Sequence, residues 1–324
     1  MRAVVRDAYG GPDVLRIDDI AMPELSDDGV LVRVRATSVN DYDWHLLTGQ
    51  PAINRIGALR RPQHRVLGAD VAGIVESVGD AVTTLRPGDE VYGDLSMHGF
   101  GAYADYVGAP ASAFARKPAS LSFEQAAAVP QAGGLAVVGL RGKRPIRPGD
   151  RVLVNGAGGG VGTLAVQIAT AAGAVVTGVD AAWKLDVVRA VGADQVIDYA
   201  TEDVFSTGRT FDRILNIAAH HSLSTYRAAL SPGGYCGLTG GSIPRVLAAM
   251  AVGPLTSMWH DSRVDVPRWR PNDPTDVAYL TALLESGQVS PVIDSVRPLE
   301  ELPQAFRRFG AQEHTGKIVI TVSS

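Results

Sequence analysis

Two stretches of this 324-residue chain hold residues whose types and spacing suit chemistry. The first is Asn155-Gly156-Ala157-Gly158-Gly159-Gly160-Val161-Gly162. It follows the β-type run Val152-Leu153-Val154 and opens into the apolar, helix-forming run from Thr163 to Ala172. Glycines let a backbone approach a pyrophosphate, and the free N–H groups at a helix start, with the helix dipole, hold its charge. The spacing Gly156-x-x-Gly159-x-x-Gly162 departs from strict G-x-G-x-x-G, so the strand–loop–helix context carries the dinucleotide reading against that of a plain glycine-rich turn. Asp180 closes the next β-like run, about 20 residues on, where a carboxylate bonds an unphosphorylated ribose. A carboxylate about 4 Å from a 2′-phosphate costs up to about 4 kcal/mol at intermediate dielectric, before screening. Lys184 and Tyr199 are placed to offset part of that cost, so the cofactor reads as NAD(P)H with NADH favoured by Asp180 and NADPH left open. The competing reading makes Asp180 a solvent-facing cap of the helix that follows.

The second stretch is Ser38-Val39-Asn40-Asp41-Tyr42-Asp43-Trp44-His45-Leu46-Leu47-Thr48-Gly49, a polar cluster running into a short helical pattern. Its plainest reading is structural: Asn40 as N-cap, Asp41 and Asp43 acidic in the first turn, Gly49 as the stop. The pair His220-His221 follows a β-like run, but adjacent histidines alone fall short of the ligand count a metal needs. They are expected to sit beside the cofactor or to cap the next helix. The single cysteine, Cys236, excludes an internal disulfide and a cysteine-based zinc site, and its strand-like setting reads as a small buried hydrophobe.

The elements that must position these residues fall into two groups. Length allows about two domains. Up to residue 118, short β-type runs (Val30–Arg35, Val71–Val78, Glu90–Tyr92) alternate with turns such as Arg86-Pro87-Gly88-Asp89, as in a small β-barrel. From Ser120 the pattern changes to a capped, alanine-rich helix near Ser122–Pro130. Then β-like runs (152–155, 175–179, 195–199, 213–217, 233–238) alternate with helical ones (163–172, 184–190, 223–230), the signature of a doubly wound parallel sheet. Residues 241–275, with Trp259 and Trp269, carry no clear assignment. The chain ends in helical patterns at 276–285 and 299–309 and β-like ones at 292–296 and 316–322. The net charge of −4 gives no reason to expect nucleic acid or an anionic membrane surface as partner. No apolar run reaches membrane-span length, the first residues are too charged for a secretory signal, and a cytoplasmic location is expected.

The order of motifs resembles the zinc-free quinone-oxidoreductase branch of the medium-chain dehydrogenase/reductase superfamily. The matching pieces are Ser38-Val39-Asn40, Leu67-Gly68-Ala69-Asp70-Val71-Ala72-Gly73, Arg86-Pro87-Gly88-Asp89-Glu90-Val91, the run from Gly99 to Tyr106, Ala126–Pro130, the glycine loop, Val191–Tyr199 and Gly316-Lys317-Ile318-Val319-Ile320. The resemblance implies an α/β protein with a Rossmann domain (119–284) and a GroES-like β-barrel catalytic domain (1–118, completed by 285–324). It implies a homodimer that moves hydride from NAD(P)H to a small-molecule quinone or an α,β-unsaturated carbonyl. Zinc-dependent relatives place Cys where this chain has Asn40 and His where it has Ala69, so no zinc is expected. Asn40, Tyr42 and His45 fall where the motif faces nicotinamide and acceptor. The Asn40 amide would orient an oxygen there, and Tyr42 or His45 would donate a proton. Gln131 and Leu135 stand where many relatives carry an apolar residue and a threonine. That departure keeps open a dinucleotide-binding interaction protein with little catalysis, beside the further alternative of an alcohol or carbonyl dehydrogenase.

Overall fold

The computed structural model describes residues 1–55, 57–59, 61–142, 144–241, 246–250 and 261–323. The chain divides into two compact units, 1–131 with 271–277 and 293–324, and 132–270 with 278–292.

The first unit opens with an antiparallel pair, β1 (Arg2–Val5) and β2 (Arg16–Asp19). The long strand β3 (Gly29–Ser38) buries Val30, Val32, Val34 and Ala36 while Arg33 and Arg35 face outward, the period-2 alternation of a one-sided sheet. It runs directly into helix α1 (Asp41–Thr48), which stops at Gly49 in the left-handed conformation. β4 (Asp70–Val78), β5 (Glu90–Asp94), β6 (Tyr106–Pro110) and β7 (Ala115–Arg116) extend the sheet. Helix α2 (Phe123–Ala127) begins with a capping box, Ser122 accepting from the Gln125 N–H while the Gln125 side chain accepts from the Ser122 N–H. This helix packs on β3 and β4, which is why the first unit reaches Gln131 rather than the expected boundary near 118.

The second unit begins with α3 (Pro130–Leu140), whose first two residues belong to the first unit. Strands β8 (Arg151–Asn155), β9 (Val175–Asp180), β10 (Gln195–Asp198), β11 (Phe211–Asn216), β12 (Leu230–Leu238) and β13 (Arg263–Asp265) form one fully parallel sheet in the order β10-β9-β8-β11-β12-β13. Helices α4 (Gly160–Ala171), α5 (Leu185–Ala190), α6 (Leu223–Ala228) and α7 (Pro274–Glu285) alternate with the strands or follow them. The order reverses around β8, so the carboxyl ends of β8 and β11 flank a topological switch point, where such sheets bind ligands. Of the stretch 241–275, β13 is a strand, while 242–245 and 251–260, Trp259 included, lie outside the described residues.

The chain then returns to the first unit. β14 (Ile293–Pro298) and β15 (Lys317–Thr321) join the first sheet, giving the order β14-β15-β3-β4-β5-β7, and α8 (Leu302–Gly310) buries Leu302, Ala305 and Phe306 against the same core. The parallel Rossmann-like sheet and the separate, mainly antiparallel β unit are the α/β architecture expected from the sequence.

Candidate functional site

Strand register builds the polar site of the first unit. β15 pairs antiparallel with β3, Val319 opposite Ser38, and continuing that register sets Lys317 beside Asn40. β3 pairs with β4 at Thr37 and Val71, so Ser38 falls beside Asp70, and β4 pairs Asp70 with Asp94 of β5. Three strand pairings thus gather Lys317, Asn40, Ser38, Asp70 and Asp94 at one end of the sheet, all buried. Asp70 is the hub. Its Oδ2 accepts from Ser38 Oγ at 2.8 Å, Asn40 Nδ2 at 3.0 Å and Lys317 Nζ at 3.2 Å, and its Oδ1 from the Gln131 N–H at 2.9 Å. Lys317 Nζ also donates to Asn40 Oδ1. A carboxylate with four donors, one an ammonium, meets the requirement that buried charge be paired and hydrogen-bonded.

Asp43, in the first turn of α1, is fully buried. Its Oδ1 accepts from the Gly68 N–H at 3.0 Å and its Oδ2 from the Asn40 N–H at 3.3 Å. Burial dominates over these bonds and pushes its carboxyl up to about 7. The Asp94 carboxyl is pushed up for the same reason, reinforced by Asp70. Its Oδ2, the Ser96 hydroxyl and the Gln131 Nε2 are buried without a hydrogen-bond partner among the described residues. Asn40 therefore stands at the N-cap of α1 as its position suggests, its N–H held by Asp43, while its side chain serves Asp70 and Lys317. In the sequence, Asp70 and Lys317 stand out only as pieces of motifs. The available signal was a charge set into each of two apolar runs, Leu67–Gly73 and Gly316–Ile320.

Tyr42 is 37 % exposed, its ring edge-on to Phe100 at 5.5 Å, and Phe100 in turn meets the His64 ring, tilted by 59°, at 4.9 Å. Burial, with Asp94 and Asp43, raises its phenol further, so the hydroxyl keeps its proton at neutral pH. His45 is tied at both ring nitrogens: Nε2 lies 3.0 Å from Asp41 and Nδ1 2.7 Å from the Gln50 carbonyl oxygen. The Asp41 contact outweighs burial and raises its pKa.

In the second unit the glycine loop turns between β8 and α4 with Gly156 at φ +92°. A Cβ on Gly162 would stand 2.1 Å from the Gly156 carbonyl oxygen, so only glycine lets the helix start that close to the loop. The N–H groups of Gly156 and Ala157 are committed to the Val179 carbonyl, and that of Gly158 to Asp180 Oδ2 at 2.7 Å. The N–H groups of Gly160, Val161 and Gly162 lack an acceptor one turn back, and no side chain caps this helix. Beside Gly159 a Cβ would meet nothing closer than 3.8 Å, leaving open space at the N-terminus of a twelve-residue helix. The uncommitted N–H groups at this helix start are those of Gly160, Val161 and Gly162, a donor set whose chemistry suits a pyrophosphate.

Asp180 is 8 % exposed, which excludes the solvent-facing cap. Its Oδ2 takes the Gly158 N–H, its Oδ1 the Ala181 N–H at 2.8 Å, and Lys184 Nζ lies 3.9 Å away. The Lys184 ammonium sits over the Trp183 ring, 4.9 Å from its centroid. Tyr199 is exposed and donates its N–H to the Asp180 carbonyl oxygen. Leu135 lies in α3, and Gln131 gives its N–H to Asp70. His221 packs on Phe205 and Tyr226, and Ser222 caps α6, so the histidine pair does not do the capping. Cys236 is buried in β12, its thiol pushed up by burial. Among the described residues, no three His, Cys, Asp or Glu side chains are grouped to hold a metal ion, and no helix is long and apolar enough to cross a membrane.

Residues 26–119 match the family described as alcohol dehydrogenase GroES-like domain, and residues 191–320 that described as zinc-binding dehydrogenase. The chain is 32 % identical to the quinone-oxidoreductase homolog, chloroplastic, of Spinacia oleracea, over 99 % of this chain and 98 % of the relative. It is 31 % identical to the NADPH-dependent alkenal/one oxidoreductase, chloroplastic, of Arabidopsis thaliana, over 99 % of this chain and 79 % of the relative. Among solved structures it is similar to the quinone oxidoreductase of Coxiella burnetii, with a TM-score of 0.85, 25 % identity and coverage of 100 % and 99 % of the two chains.

Proposed function

The chain belongs to the zinc-free, quinone-oxidoreductase-like branch of the medium-chain dehydrogenase/reductase superfamily, and on that premise we propose that it is an NAD(P)H-dependent oxidoreductase of quinones and α,β-unsaturated carbonyls, working without zinc. The observation that carries this reading is the uncapped helix start at Gly160-Val161-Gly162, a phosphate cradle next to a carboxylate suited to a ribose. Gly160, Val161 and Gly162 would hold the pyrophosphate; Asp180, flanked by Lys184 and Tyr199, would take the ribose. When bound, the reduced nicotinamide supplies the hydride.

The protein's own part is electrostatic. Asn40 keeps one Nδ2–H beyond the one given to Asp70, and that N–H would meet the oxygen on which charge develops in the acceptor. Tyr42, protonated and without a hydrogen bond from its hydroxyl among the described residues, would donate the proton. His45 is the weaker candidate, since both its nitrogens are occupied. A cation is already present in this site: the Lys317 ammonium, on Asn40 and Asp70. That supports chemistry independent of a metal.

We assign the cofactor as NADH in preference to NADPH because a 2′-phosphate would share its place with the Asp180 carboxylate, with Lys184 compensating only in part. The relative from Arabidopsis is named NADPH-dependent, which makes this preference a point of difference to test. A homodimer and a cytoplasmic location belong to the same proposal, and sedimentation of the purified chain checks the first. The deciding experiment follows oxidation of NADH and NADPH against a panel of quinones, enones, aldehydes and ketones. Turnover of quinones or enones with NADH preferred is expected. Nucleotide binding with no turnover of any acceptor would favour the interaction-protein alternative, and turnover confined to aldehydes and ketones the alcohol or carbonyl dehydrogenase.

A further inference from the structure

Asn40 follows the end of a strand, and the sp³–sp² torsion of such an amide is broad, so nothing in its own backbone fixes where its N–H groups point. The surrounding charges do fix it. Its Oδ1 accepts from the Lys317 ammonium, and its Nδ2 donates to the Asp70 carboxylate at 3.0 Å. Turning the amide over would set NH₂ against an ammonium and oxygen against a carboxylate, two repulsions in place of two charge-assisted bonds. Lys317 is 5 % exposed and Asp70 0 %, so neither is loosened by water. The other charged or titratable groups set into this cluster are Asp43, Asp94 and Tyr103. Arg6 approaches from β1's end, but its guanidinium is given to the carbonyls of His64, Leu46 and Leu47.

We propose that Lys317 is a positioning residue: held against Asp70, it locks the Asn40 amide in one orientation, so that the second Nδ2–H stays available to the acceptor oxygen. This rests on the role given to Asn40 under the proposed function. The rival account makes the Lys317–Asp70 pair a clamp that only fastens β15 to β3. Both accounts entail a loss of stability when Lys317 is removed; only the positioning role entails a loss of turnover that runs through Asn40.

The test is a double-mutant cycle of Asn40→Ala and Lys317→Met, read as kcat and KM with NADH and a quinone or enone, alongside nucleotide binding by fluorescence. If Lys317 works through Asn40, each single variant loses about tenfold or more in kcat, nucleotide affinity stays within about twofold, and the double variant loses little beyond either single one. Losses that multiply in the double variant, or a Lys317→Met enzyme with full kcat beside a crippled Asn40→Ala, overturn the proposal. Should Lys317→Met fail to fold, Asp70→Asn with Lys317→Met removes both charges and replaces it in the cycle.

A second readout is independent of turnover. In the wild-type protein the Asn40 side-chain amide protons are expected to exchange slowly, and in the Lys317 variant quickly, by nitrogen-15 NMR. Unchanged exchange overturns the positioning role. Full activity of Asn40→Ala, with exchange responding to Lys317, would instead reject the assigned role of Asn40 and leave the lock itself standing.

Discussion

The two units each pair one aspartate with one lysine, and the two pairs do opposite work. Asp70 and Lys317 lie 247 residues apart and meet at 3.2 Å because two strand registers, β15 on β3 and β3 on β4, bring them together. Asp180 and Lys184 lie four residues apart, across the end of β9, with 3.9 Å between charges. Asp70 spends its oxygens mainly on side chains, one of them the ammonium; Asp180 spends both on backbone N–H groups and needs its lysine little. A buried pair that depends on its partner is strongly destabilised when one member goes, while a carboxylate already satisfied by backbone is not. The first pair thus fixes a structure, while in the second the carboxylate is held by the loop backbone with or without its lysine.

The sharpest way to break this comparison is stability. Lys317→Met leaves Asp70 buried and short of its cation, and is expected to cost about 3–5 kcal/mol in urea unfolding. Lys184→Met, by contrast, is expected to cost under about 1 kcal/mol. Equal losses would show that the two pairs are alike. Next in size is cofactor choice. Asp180→Ser removes the carboxylate beside the ribose position and is expected to raise kcat/KM for NADPH relative to NADH by roughly tenfold to a hundredfold. An unchanged ratio would mean that Asp180 serves only the loop.

Acidity gives a further contrast. Burial raises Asp43 from 3.8 to about 7, so between those values the folded state binds a proton that the unfolded state has released. Stability from this group is full below about pH 4 and is lost as pH rises toward about 7. Asp43→Asn should flatten that decline, by up to about 1.4 kcal/mol per pH unit, in chemical unfolding followed across the range. The smallest contrast lies within α1. Tyr42→Phe is expected to lower kcat about tenfold, while His45→Gln, whose nitrogens are already occupied, should change it by less than about threefold. A reversed order would move the proton donor to His45.

Much of the second unit was legible because its signals are local. The glycine loop, the alternation of β8 to β12 with helices, and Asp180 closing β9 all follow from residues close together in the chain. That the Asp180 carboxylate turns into the loop was not legible, because it depends on a side-chain torsion and on which loop N–H lies uncommitted. In the first unit the sequence located Asn40 and its helix, but Lys317 and Asp94 join it only through register across β15, β3, β4 and β5. Register depends on the pairing of distant strands, which no local pattern encodes. Apolar runs interrupted by a single charge, as at Asp70 and Lys317, were the trace it left.

The most direct test of metal-free hydride transfer is the steady-state rate of NADH oxidation with a quinone or enone before and after exhaustive chelation, with metal content measured on the same sample. The arrangement of Lys317, Asn40 and Asp70 predicts an unchanged rate without stoichiometric zinc. A rate lost on chelation and restored by zinc would contradict it.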